Sequence, residues 1–285
     1  MVVNQRQPLL GSALHISIDH GQRPIRIVQL TDCHLGEDDS ATLLDMNTDN
    51  SLDHVLDMLA DRSDEFDLIL VTGDIALHGA REAYSRFQTK LSRFEQPTIW
   101  VGGNHDNIQY MREVVGFGTE MSRSVSIGDW QLITLDSVDP GAVGGCLSES
   151  ELRFLRHCLE QDPDRPALIG LHHHPLPIGC DWLDEQQISN SEQFLSIVRS
   201  HQNVKAVCWG HVHQDWDTTA AGVRYLSAPS TCVQFAPNSL DFKLDALQPG
   251  VRWLELHGDG RVETDVWRLT GVNSHVDLES TGYAQ

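Results

Sequence analysis

Five apolar, largely β-branched runs in this chain close in the same way. IRIVQL runs into Thr31-Asp32-Cys33-His34, DLILV into Thr72-Gly73-Asp74, and TIWV into Gly102-Gly103-Asn104-His105-Asp106. ALIGL runs into His172-His173-His174, and VKAVCW into Gly210-His211-Val212-His213. Short runs with little polar alternation are strands covered on both faces, which is the demand of a largely parallel sheet flanked by other layers. Ends of such strands are where α/β proteins keep their chemistry. Here every end carries oxygen or imidazole donors.

The segments between the runs supply the covering layers. Leu52, Val55, Leu56 and Leu59 follow a helical period, as do Tyr84, Phe87, Leu91 and Phe94. Ser148-Glu149-Ser150-Glu151 fits a capping box ahead of Leu152, Leu155 and Leu159, and Ser191 precedes Phe194, Leu195 and Val198. These stripes read as core-facing surfaces rather than cofactor-binding faces. Residues 124–137 read as a hairpin turning at Gly128-Asp129, and 253–269 as another turning at Gly258-Asp259-Gly260, so the sheets are expected to be mixed. Residues 111–123 and 236–250 carry weak signals and read as loops, and the polar end as a loosely held tail. The strand pattern alone gives an α/β chain of one domain.

Charge and cysteine usage narrow the partners. A formal net charge of −21 disfavours nucleic acid polymers and anionic membranes, which need clustered Lys and Arg. The six cysteines lie far apart without a CxxC pair, and most of them read as buried, reduced thiols. No apolar run is long enough to span a bilayer, and the start lacks a secretory pattern, so a cytoplasmic location is expected. A phosphate-bearing substrate would have to be attracted by something local, and a bound cation does this. The glycine-rich stretch 141–145 lacks the Lys-Ser or Lys-Thr of a phosphate-binding P-loop. Asp181 and Asp184 beside Trp182 read as a solvated loop, with a place at the substrate mouth as the alternative.

In extended backbone, residues i and i+2 point the same way, so Asp32 with His34, and His211 with His213, can present two ligands together. Cys33 and Val212 then face the core. Carboxylate, imidazole and amide donors without thiolate suit Mn, Fe or Zn. Seven donors exceed what one four-coordinate ion takes up, whereas two ions sharing a carboxylate use them all. Asp74, arriving alone from a central strand, is the natural bridge. Two divalent ions against Asp32 and Asp74 leave local positive charge for a phosphate.

In this order, D-x-H, G-D, G-N-H-D, H-H-x-P and G-H-x-H resemble the calcineurin-like metallophosphoesterase superfamily. FDLILVTGD, WVGGNHD, LHHHPLPIGCDWLD, CWGHVHQ and APSTCVQF extend the likeness to bacterial class III 3′,5′-cyclic AMP phosphodiesterases over residues 24–270. That leaves 1–23 as an N-terminal segment and 271–285 as the tail. The resemblance implies a four-layer αββα sandwich of two mixed β-sheets flanked by helices. It implies that Asp32, His34, Asp74 and His213 hold one metal, and that Asp74, Asn104, His172 and His211 hold the other. His173 rivals His172 for the last place. The ions it implies are Fe and/or Mn, with Zn as a third option. His34, Asp74, Asn104, His105 and His213 would also meet the substrate, cyclic AMP or a related cyclic nucleotide. The expected mechanism is attack on phosphorus by a hydroxide shared between the ions, with His105 stabilising or protonating the departing 3′ oxygen. Asp106 would orient or charge that imidazole, unless it caps a following helix. The product would be 5′-AMP. A broader phosphodiesterase, acting on other cyclic nucleotides or glycerophosphodiesters, and a binding module without turnover are the alternatives. Whether the chain forms a homo-oligomer is left open.

Overall fold

The computed structural model describes residues 14–16, 23–272 and 275–282. Most of the N-terminal segment and the last three residues lie outside the described residues. Strand β1 (Leu14–Ile16) is followed by β2 (Ile25–Leu30), the short hairpin β3 (Thr42–Leu43) and β4 (Met46–Asn47), and helix α1 (Thr48–Ala60). Strand β5 (Leu68–Thr72) leads to α2 (Arg81–Leu91), and β6 (Thr98–Val101) leads to α3 (Ile108–Val115). The second half begins with β7 (Ser124–Ile127), β8 (Trp130–Thr134), α4 (Glu149–Gln161), β9 (Ala167–Gly170), α5 (Asp181–Asp184) and α6 (Ser191–Ser200). It continues with β10 (Val204–Trp209), β11 (Asp217–Ala220), β12 (Val223–Ser227), β13 (Gln234–Phe235), β14 (Leu244–Asp245), β15 (Gly250–Leu256) and β16 (Val262–Arg268).

Two main sheets form, one of five strands in the order β16-β15-β2-β5-β6 and one of seven in the order β1-β7-β8-β9-β10-β12-β11. Both are mixed: β2, β5 and β6 run parallel while β15 is antiparallel to β2, and β8, β9, β10 and β12 run parallel while β7 is antiparallel to β8. The two hairpins expected at 124–137 and 253–269 are present as β7–β8 and β15–β16.

Alternation along each strand explains the layers. Ile27, Leu68, Leu70, Leu132, Ala206 and Cys208 point into one apolar cluster shared by both sheets. Their neighbours Val28, Ile69 and Val71 point the other way, against Leu52, Val55, Tyr84, Phe87 and Met111 of α1, α2 and α3. On the far side Ile133, Val207 and Trp209 meet Leu152, Leu155, Phe194 and Val198 of α4 and α6. Helices, sheet, sheet and helices therefore stack as the expected αββα sandwich, and the runs look uniformly apolar because both faces of each strand are covered. Gln29 is the polar link across the seam: its side-chain amide donates to Thr72 Oγ1 at 2.9 Å and to the Trp209 carbonyl at 2.8 Å.

Local features differ from the sequence reading: 236–250 is not all loop but holds β14, paired with β13, and the stretch of Asp181 and Asp184 is the short helix α5 rather than a loop. Part of 111–123 is helical, because Asn107 caps α3 by accepting from the N–H groups of Gln109 and Tyr110 and Ile108, Met111 and Val115 give it an inner face. Strand β1, within the N-terminal segment, pairs in parallel with β7. In the tail, Asp277 N–H donates to the Leu44 carbonyl at 3.0 Å, and Val276 packs against the apolar cluster that contains Leu43 and Met46.

Candidate metal centre

All five donor-bearing segments leave the carboxyl ends of parallel strands: β2, β5 and β6 from one sheet, β9 and β10 from the other. The backbone there is not extended. Asp32, His34, Asp74, His211 and His213 have φ of 54°, 47°, 50°, 65° and 48°, in the left-handed region. Left-handed rather than extended backbone thus pairs these donors, and Cys33 and Val212 still lie in apolar clusters while the flanking donors turn inward. Left-handed backbone costs a non-glycine residue about 1–3 kcal/mol, tolerated where the surroundings over-determine it. The segments are held by main-chain bonds between loops, from Asp32 N to Gly73 O at 3.0 Å, His34 N to Asp74 O at 2.9 Å, and Gly210 N to His172 O at 3.1 Å.

Two glycines make the crowding possible. A Cβ on Gly103 would stand 2.2 Å from Asp74 Oδ1, and one on Gly210 would stand 2.1 Å from Thr31 Oγ1 and 2.8 Å from Asp32 Oδ2. Gly102, the other member of the opening pair, would instead strike Ile108 of α3.

The donors meet in two overlapping groups. In one, His213 Nε2 lies 3.2 Å from His34 Nε2 and 3.4 Å from Asp32 Oδ1. In the other, His172 Nε2 lies 3.2 Å from Asn104 Oδ1 and 3.3 Å from Asp74 Oδ2. Asp74 Oδ2 is also 3.8 Å from His34 Nε2, so this carboxylate stands between the groups. Asp32, His34, Asp74, His172, His211 and His213 are all buried, whereas Asn104 and His105 are half-buried and mark the open side.

Protons are what the centre lacks. His213 Nδ1 donates to the Val233 carbonyl at 2.8 Å and His172 Nδ1 to the Thr72 carbonyl at 2.7 Å, leaving both Nε2 atoms as lone pairs aimed at other acceptors. His211 Nε2 and His34 Nδ1 are buried without a hydrogen-bond partner among the described residues. Among the described residues, no Lys or Arg pairs with Asp32 or Asp74. Lone pairs converging on buried carboxylates are stabilised by cations, and this donor set fits divalent ions. Without them the imidazoles share that duty. Burial works to lower the His172 pKa, but the Asp74 carboxylate outweighs it and raises the value to about 9. Burial holds His34 neutral, down to about 3, and pushes His211 well below its usual range.

His173 differs from His172 in what its ring touches. Its Nδ1 lies 2.9 Å from Ser137 Oγ and its Nε2 3.0 Å from the Val143 carbonyl of the glycine-rich 141–145 loop, so both nitrogens are engaged. A Cβ on Gly145 would meet the His173 ring at 2.6 Å. His105 Nδ1 lies 2.8 Å from the Leu77 carbonyl, which takes the orienting place expected of Asp106. Asp106 instead accepts from the N–H groups of Ile75, Ala76 and Gly103 and from the Tyr84 hydroxyl. Nor does it cap α3, where Asn107 does so. Tyr84 and Ser137 were missed: Tyr84 reads as one member of a helical apolar stripe, and Ser137 carries no local signal.

The calcineurin-like phosphoesterase pattern matches residues 25–215, which contain every one of these donors. The chain belongs to this family. The phosphoesterase is 40% identical to a 3′,5′-cyclic adenosine monophosphate phosphodiesterase of Pseudomonas aeruginosa over 91% of its own length and 95% of the relative. It is 40% identical to the protein of that name from Escherichia coli strain K12, over 92% and 96% of the two chains. A dimetal phosphatase from Danio rerio superposes on the phosphoesterase with a TM-score of 0.60 at 18% identity, covering 87% of this chain and all of that one. A purple acid phosphatase from yellow lupin seeds gives 0.62 at 14% identity, covering 88% of this chain and 52% of that one. At such identities the solved structures speak for the fold alone. Five of the phosphoesterase's cysteines are buried free thiols and Cys146 is half-buried, as their spacing suggests.

Proposed function

We propose that this phosphoesterase hydrolyses 3′,5′-cyclic AMP to 5′-AMP with two divalent ions, Fe and/or Mn, and so lowers a second-messenger level in the cytoplasm. The observation that carries the substrate is the 40% identity, over nearly the whole of both chains, to proteins named for that activity. Among the described residues no helix is long and apolar enough to cross a membrane.

Asp32, His34, Asp74 and His213 would hold one ion, and Asp74, Asn104, His172 and His211 the other. His172 is preferred to His173 because its Nε2 is turned to Asp74 and Asn104 while both nitrogens of His173 are engaged. Bound there, the ions lower the pKa of water and neutralise phosphate oxygens. The carbonyls of Val233 and Thr72 lock the tautomers of His213 and His172, so their Nε2 lone pairs need no reorganisation. His105 has its main-chain N–H on Asp74 Oδ1 at 2.9 Å and its Nδ1 on the Leu77 carbonyl. Proton transfer to the leaving group would then fall to Nε2, which in the doubly protonated ring gives its proton to the 3′ oxygen as that oxygen's bond to phosphorus breaks and takes another from solvent.

A second reading, a broader 3′,5′-cyclic-nucleotide phosphodiesterase, draws on a 36% identical Nostoc protein of that name, matched over 86% of this chain. Chromatography of products from Mn-loaded protein with cyclic AMP, cyclic GMP, a 2′,3′-cyclic nucleotide and a glycerophosphodiester separates the readings. The proposal expects 5′-AMP as the dominant product and its loss on chelation. Turnover of the glycerophosphodiester but not of cyclic AMP would sink it.

A further inference from the structure

One carboxylate joins the loop that bears Asp74 to the loop that bears Asn104 and His105. Asp106 Oδ2 accepts from Gly103 N at 2.9 Å and Ile75 N at 3.2 Å, and its Oδ1 from Ala76 N at 3.0 Å and the Tyr84 hydroxyl at 3.1 Å. The same hydroxyl accepts from Asn107 N at 2.6 Å. Tyr84 is fully buried on α2, with its ring in the apolar cluster of Phe87, Trp100 and Met111. Its single polar atom is therefore spent on Asp106 and Asn107, the two residues that follow the Asn104–His105 turn.

We infer that Tyr84 is a positioning residue of the metal centre, its hydroxyl acting through Asp106 and Asn107 to fix how far the Asn104–His105 loop stands from the Asp74 loop. Two contacts that matter for chemistry cross this gap, from His105 N to Asp74 Oδ1 at 2.9 Å and from His105 Nδ1 to the Leu77 carbonyl at 2.8 Å. The inference rests on reading the centre as dinuclear. Removing the hydroxyl leaves the Asn107 N–H without its acceptor and Asp106 with three donors instead of four. The Asn104 oxygen and the His105 ring then lose their aim. Asp32, His34 and His213 hang from β2 and β10 and meet the clamp only indirectly, through main-chain bonds of Asp32 and His34 to the Asp74 loop, so one ion should be affected more than the other.

The test titrates Mn²⁺ into metal-free Tyr84→Phe protein by calorimetry and measures cyclic AMP turnover beside it. Phe87→Leu serves as the control: it lies on the same buried face, packs on Trp100 with ring centroids 5.1 Å apart, and lowers stability through packing. For Tyr84→Phe one of two Mn²⁺ binding events is expected to weaken about 10-fold, with kcat falling by a similar factor. KM is expected to hold within about twofold, the pattern of an interaction used in the transition state. In Phe87→Leu both affinities and kcat are expected to stay as in the parent protein. A folded Tyr84→Phe protein with both affinities and kcat unchanged overturns the inference, as does Phe87→Leu reproducing the loss. If the parent protein itself fails to turn over cyclic AMP, the proposed substrate falls while the Mn²⁺ titration still decides the role of Tyr84.

Discussion

Among the described residues, two clusters bring imidazole together with more than one carboxylate, and they differ in where their positive charge comes from. On the β15–β16 hairpin, His257 Nε2 lies 3.3 Å from Glu255 and 3.2 Å from Glu263, cross-strand partners whose like charges would repel. Arg261 answers them, 3.2 Å from Glu263 Oε1, and Glu263 is 57% exposed to water. At the strand ends, Asp32 and Asp74 are buried, no Lys or Arg among the described residues reaches them, and the histidines turn lone pairs toward them. Residue type is shared by the two clusters. Burial without a resident cation is what makes one of them a candidate for metals.

Substitution in each cluster sharpens the contrast. Asp74→Ala removes the carboxylate that stands between both groups of donors, and cyclic AMP turnover is expected to fall on the order of 10³-fold or more. Activity near the parent value in a folded, Mn-loaded Asp74→Ala protein would erase the distinction between the clusters. His105→Ala removes the imidazole while the main-chain bond to Asp74 Oδ1 and every proposed ligand stay in place, so it should keep two ions by elemental analysis while turnover drops about 10²-fold. Loss of an ion in that variant would move His105 into the ligand set.

Smaller effects follow from how the neighbours of the donors are held. His173→Ala deletes the bonds to Ser137 and Val143, and chemical denaturation should report about 1–3 kcal/mol of lost stability with two ions still bound. The pH dependence of the metal-free protein carries a sign that metals should change. His34, His173 and His174 have folded values near 3 against an ordinary 6.5, chiefly through burial, so stability declines as pH falls from 6.5. His172, raised to about 9 against burial by Asp74, contributes stability below 6.5 that is lost as pH rises through 9. Melting of metal-free protein should thus peak near pH 6.5, and Mn²⁺ should abolish the alkaline decline. An alkaline decline that persists at saturating Mn²⁺ would argue against His172 as a ligand. The smallest effect belongs to the hairpin, where Glu263→Gln should leave turnover and ion content alone and shift stability by no more than about 0.5 kcal/mol.

Much of this arrangement was legible in the chain because each donor follows directly on a buried run, and parallel strands deliver their ends to one edge. The αββα layering was carried by the resemblance, since a run covered on both faces does not say which face meets a helix and which the other sheet. The left-handed backbone at Asp32, His34, Asp74, His211 and His213 carried a weak signal, as Asp and His tolerate that region better than most residues. The difference between His172 and His173 was not legible, because it is made by Thr72, Ser137 and Val143, which come from elsewhere in the sequence. Tyr84 was hidden for a related reason. Its ring obeys the apolar period of α2, and only the folded loops bring Asp106 and Asn107 to its hydroxyl.

The claim that most of this depends on is that Asp74 is shared by two ions. Anomalous diffraction from crystals of Mn-loaded protein tests it directly. The account expects two peaks flanking the Asp74 carboxylate, one beside His34 and His213 and the other beside Asn104, His172 and His211. A single peak, or a pair centred on His257 of the hairpin, would contradict it.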